Sequence, residues 1–359
     1  RDKSGDCEDI AIADYYDARR KTGGKGIAFA AAARATKRTV VIEAGNGSLA
    51  WNTLHWPFPD IAAARNPQFS WHKVGMETKV VGTAKPLTIG PDTPWANLAP
   101  LNQVTGFLCG ANETHNNVAK STQTLNNNDI FGIASALQAS APATIPVVTI
   151  GGAKIGIAPG SVAASNVANA DGVVGLFNSA ASRAGGLLSQ ATDAQLYKAQ
   201  YDAFIQLNRA SNRSTQTAAY RTAAGAAQLL GTNLASQLQI MPTDLTRYGL
   251  TGNPRASLLA LGKGLIVTAK AFSLGLTNMV ALPHFNDDPH GAFDNNDVAT
   301  VPAQLKAVYD AFMTDLTTMI DSDTGTPIAS DTVIVINGDT YKSPTNKAGW
   351  GDGTPSNSN

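Results

Sequence analysis

The sequence predicts an α/β fold, a mostly parallel sheet flanked by helices on both faces, and three observations predict it. Short apolar, β-branched runs of five or six residues recur along the chain. Stretches with helical apolar spacing alternate with them. Four of the runs end in polar or ionisable residues, at 43–48, 109–115, 284–290 and 337–341, with glycine in all but 284–290. A strand buried on both faces reads as a continuous apolar run, and such strands alternating with helices make a parallel sheet.

Taken in order, the first twenty residues are charged and loop-like, with a short helix at about 10–20. Gly23-Gly24 precedes an alanine-rich helix at about 26–36, and Thr39-Val40-Val41-Ile42-Glu43 is the first strand, ending in Ala44-Gly45-Asn46-Gly47-Ser48. From about 51 to 100 the pattern is irregular and rich in Trp and Pro, read as an ordered excursion that buries Trp51, Trp56 and Trp71. A second strand is expected from Val104 to Cys109. Asn126-Asn127-Asn128-Asp129 offers an N-cap for a helix through Gln138. Ile145 to Ile150 reads as another strand, ending in Gly151-Gly152. The stretch of about 171–239 reads as a helical insertion. Beyond the Gly252-Asn253-Pro254 turn, a long helix from Arg255 to about Leu274 leads into the strand Asn278 to Leu282. Leu305, Val308, Tyr309, Phe312 and Leu316 mark an amphipathic helix, and Thr332 to Ile336 the last strand. The whole chain, 1–359, is read as one domain.

Composition narrows the function classes. Hydrophobic residues make up 43%, enough for a large core, whereas charged residues are only 15%. Asn, Thr, Ser, Gln and Gly must supply the polar surface, a pattern commoner on exported proteins. The 27 basic and 27 acidic residues cancel, so no electrostatic footprint for nucleic acid is expected. No apolar run reaches the ~18 residues that span a bilayer, and the most apolar stretch, 258–276, is broken by Lys263 and Lys270. Cys7 and Cys109 are either a disulfide closing a long loop or two unrelated core thiols; a bond would stabilise by roughly 4–5 kcal/mol. The start at Arg1 is read as that of a processed chain whose export signal would lie upstream.

The strongest chemical signal is the run Pro283-His284-Phe285-Asn286-Asp287-Asp288-Pro289-His290. Carboxylates and an imidazole on one loop after a buried strand suit a divalent cation such as Zn, Ca or Mg, with Asp287, Asp288 and His290 as ligands. The same residue types also make an ordinary acidic turn with a helix cap. Asp339, directly after the last strand, and Asp352, between Gly351 and Gly353, are further candidate ligands or turn residues. Thr114 and His115 place a nucleophilic hydroxyl and a base on one loop, or are part of a solvated loop. Gly-x-Ser-x-Gly, the phosphate-binding Gly-x-x-x-x-Gly-Lys-Ser/Thr loop, His-Glu-x-x-His and Gly-x-Gly-x-x-Gly are all missing from the sequence, and Gly262-Lys263-Gly264 falls inside a helical pattern.

The order of these pieces resembles a known family. A glycine turn after the first strand is followed by Asn52-Thr53. Later come the Thr114-His115 loop, the Phe285 to His290 loop, the helix Ala307-Val308-Tyr309-Asp310-Ala311-Phe312, and the strand Thr332-Val333-Ile334-Val335. This resembles the exported bacterial family of unknown function number 1501, distantly related to alkaline phosphatases and arylsulfatases. It spans most of the chain and is specific from about 257 to 352. The resemblance implies an alkaline-phosphatase-like α/β sandwich and relatives that hydrolyse phosphate or sulfate esters with divalent metals. It also implies a twin-arginine export signal and a periplasmic, cell-surface or extracellular location. Asp287 or Asp288 and His290 match the ligands of the family's Gly-Phe-Asp-Thr-His loop. Asn46 stands where the family has an acidic residue. Asn337-Gly338-Asp339-Thr340-Tyr341 replaces Ser-Glu-Phe-Gly-Arg, and the Gly349 to Gly353 turn lacks its histidine.

Two functions follow. One is an exported metal-dependent hydrolase acting on a small phosphate or sulfate ester. The other is a non-catalytic pseudoenzyme that self-assembles as a surface, matrix or filament protein, using a homo-oligomeric interface at the Trp/Pro-rich excursion.

Overall fold

The computed structural model describes residues 37–44, 78–80, 87–89, 130–140, 143–177, individual residues between 192 and 203, 234–283, 285, 297–322 and 325–338. Seven strands are formed: β1 (Arg38–Ala44), β2 (Thr78–Val80), β3 (Leu87–Ile89), β4 (Val147–Ile150), β5 (Ser165–Val167), β6 (Met279–Leu282) and β7 (Thr332–Gly338). The helices are α1 (Ile130–Leu137), α2 (Ala170–Phe177), α3 (Leu234–Leu238), α4 (Pro242–Arg247), α5 (Ala256–Ser273) and α6 (Asp297–Thr318).

Five strands form one sheet in the order β5-β4-β6-β1-β7, and every neighbouring pair in it is parallel. The predicted parallel α/β arrangement is therefore present. The three inner strands are apolar because both of their faces are covered. Val40, Val41, Ile42, Val147, Val148, Ile150, Met279, Val280, Ala281 and Leu282 are all buried. Alternate residues of one strand serve opposite faces. Val40, Ile42, Val148, Val280 and Leu282 pack with α2, α3, α5 and α6 in the main core. Val41, Val147, Met279 and Ala281 pack on the other face with Phe131 of α1 and with Ala153 and Ile155 of the segment joining β4 to β5.

Chain direction explains this division. The path from β1 to β4 runs one way across the sheet and carries α1, whereas the path from β6 to β7 runs the other way and carries α6. Right-handed crossovers in opposite directions put their helices on opposite faces.

Helix α5 is the central element of the main core, with Leu258, Leu261, Leu265, Ile266, Ala269 and Phe272 buried along it. It ends in a Schellman motif: the Leu276 amide donates to the Ala271 carbonyl at 3.0 Å and the Gly275 amide to Phe272 at 3.1 Å. Gly275 takes φ 67°, which glycine adopts without steric cost. Among the described residues α5 alone is long and apolar enough to cross a membrane, and 61% of it is buried inside the fold, as a core helix requires. In α6 the predicted stripe of Leu305, Val308, Tyr309, Phe312 and Leu316 is buried as a set.

Two elements differ from expectation. The excursion of about 51–100, read as irregular, contains the antiparallel pair β2–β3, with Thr78 opposite Ile89 and Val80 opposite Leu87. Strands of three residues are too short to show alternation. The sheet also has an edge strand, β5, that the apolar pattern passed over, because Ser165-Asn166-Val167 is polar and partly exposed. The expected strand at Val104 to Cys109, the helix at about 26–36 and both cysteines lie outside the described residues. In the insertion of about 171–239, α2 and α3 lie at its two ends.

Candidate functional site

In an open parallel sheet, ligands bind beyond the carboxyl ends of the strands, where the connecting loops converge. Here three adjacent strands, β6, β1 and β7, end almost level. Glu43 is in register with Asn337 and Ala44 with Gly338. On the other side of β1, Ile42 is in register with Leu282. The chain therefore leaves β1 into Gly45-Asn46, β6 into Pro283-His284 and β7 into Asp339 from neighbouring positions of one sheet edge.

All seven candidate site residues lie outside the described residues: Thr114, His115, Asp287, Asp288, His290, Asp339 and Asp352. What the structure describes is the roots of their loops. Asp339 directly follows the last residue of β7, and Asp287 lies five residues beyond the end of β6. Among the described residues no group of three or more His, Cys, Asp or Glu side chains is placed to hold a metal ion.

The root after β6 is held on both sides of His284. Pro283 is buried, and Phe285 is fully buried in the main core. Pro283 sits against two glycines: a Cβ on Gly151 would lie 2.8 Å from Pro283 Cγ, and one on Gly264 would lie 3.3 Å from Pro283 Cδ. Gly151 opens the turn after β4, where its amide donates to the Val167 carbonyl at 3.0 Å. Sequence reasoning marked Gly151-Gly152 only as a strand end; its one signal was a glycine pair directly after an apolar run.

The most buried charged groups of the described residues lie at the opposite, amino end of the sheet. Arg38, the first residue of β1, is fully buried, pairs with Asp321 at 2.9 Å and stacks over the Phe272 ring at 5.6 Å. Lys37 beside it reaches Asp331 at 2.9 Å. A second network ties α4 to the last turns of α5 and α6. Lys270 Nζ lies 2.6 Å from Asp244 Oδ2, Arg247 pairs with both Asp244 and Asp315, and the Tyr248 hydroxyl donates to Asp315 Oδ2 at 2.6 Å. Burial raises the pKa of the Asp244 carboxyl, but the Lys270 hydrogen bond, the Met241 amide and the Lys270 and Arg247 cations outweigh it and hold the group below its ordinary value. Burial, with the Asp315 carboxylate beside it, pushes the Tyr248 hydroxyl far above the ordinary tyrosine range. These ion pairs and hydrogen bonds hold the helices to the amino end of the sheet. The carboxyl ends of β1, β6 and β7 lie at the other end.

Compared with protein-family models, with curated proteins and with solved structures, the chain finds no match in any of the three.

Proposed function

We propose that this chain is an exported, alkaline-phosphatase-like α/β protein that hydrolyses phosphate or sulfate esters with the help of a divalent cation at the carboxyl ends of β1, β6 and β7. The observation that supports this reading is the register of those strands, which starts three loops rich in Asp, Asn and His from one sheet edge. Asp287, Asp288 and His290 after β6, and Asp339 after β7, would hold the cation, with Asp352 as a further carboxylate. Carboxylate oxygens with an imidazole suit Zn, Ca or Mg. Such a cation, when bound, polarises an ester oxygen and lowers the pKa of a hydroxyl beside it. Thr114 would supply the attacking hydroxyl and His115 would take its proton. As the new bond to phosphorus or sulfur forms, the ester's P–O or S–O bond breaks, the alcohol leaves with a proton from His115, and water then hydrolyses the Thr114 ester.

The test is elemental analysis of protein purified without chelator, paired with turnover of p-nitrophenyl phosphate and p-nitrophenyl sulfate. A stoichiometric divalent metal and an activity that EDTA abolishes are expected. Protein free of metal and inert to both esters overturns the hydrolase. It leaves the non-catalytic assembly protein, which Asn46 and the histidine-free Gly349 to Gly353 turn already accommodate.

A further inference from the structure

We draw no further inference here: the strongest candidate, the apolar surface patch of Ile133 and Leu137 on α1 and Ile157 in the segment joining β4 to β5, carries nothing because nothing in the structure shows what covers it.

Discussion

The Tyr248 hydroxyl donates to Asp315 Oδ2 at 2.6 Å inside the protein, joining the end of α4 to the last turn of α6 across 67 residues of sequence. Arg247 binds the other oxygen of the same carboxylate and lies over the Tyr248 ring at 5.0 Å. Replacing Tyr248 with Phe removes one buried hydrogen bond and keeps the ring, so a loss of about 1–2 kcal/mol is expected. Asp315→Ala removes the acceptor of both groups and should cost more, about 2–3 kcal/mol. Urea unfolding of the two variants measures the difference; equal losses would mean that Arg247 contributes nothing through Asp315.

The same network sets the pH limits of stability. Asp244 has its folded pKa below the unfolded value of 3.8, so its contribution is full above that value and is lost as pH falls through the depressed folded one. Tyr248 has its folded pKa raised above 10.0, so its contribution is full below pH 10 and is lost as pH climbs towards the raised value. Melting temperature measured from pH 2 to 12 should fall at both ends. Lys270→Met should flatten the acid limb and leave the alkaline limb unchanged.

Arg38 and Asp321 form an ion pair with side chains 0% and 1% exposed. A buried pair of this kind contributes little net stability but is costly to break. Asp321→Ala should destabilise by about 3–5 kcal/mol because it strands the guanidinium under the sheet. The double substitution Arg38→Met with Asp321→Leu should recover most of that loss. Denaturant midpoints of the single and double variants test it, and a double variant as unstable as Asp321→Ala would refute the argument.

Phe285 anchors the loop after β6 from within the main core. Phe285→Ala should cost about 3–5 kcal/mol through lost burial and the cavity left behind. Phe285→Leu keeps most of the volume and should cost less. Asp288→Asn and His290→Ala, beyond the anchor, should leave the unfolding free energy within about 0.5 kcal/mol of wild type while reducing Zn(II) affinity. Melting and titration on the four variants separate anchoring from ligation.

Much of the fold was legible because burial on two faces leaves a local imprint. Thr39 to Glu43, Ile145 to Ile150, Asn278 to Leu282 and Thr332 to Ile336 were read as strands from unbroken apolar runs, and β1, β4, β6 and β7 fall on them. The helices α5 and α6 were equally plain, since each repeats buried residues at helical spacing over several turns. Strand β5 was not, because at the sheet edge it needs no apolar side chains. The candidate site residues, picked as Asp, His and Thr after strands, lie outside the described residues.

What the sequence by itself determined is the class of fold, its main elements, and the segments where chemistry-bearing side chains follow strands. These depend on periodicity and composition within a few turns of chain. Only the tertiary structure decided that β6 and β7 flank β1, so that Leu282 lies beside Ile42 and Asn337 beside Glu43. It alone brought Gly151 and Gly264 against Pro283, Tyr248 to Asp315 and Arg38 to Asp321. The reason is physical: strand order, register and close packing are set by contacts between segments far apart in the chain. A glycine that admits a proline ring and a glycine that merely turns the backbone are the same letter until the fold brings their neighbours together.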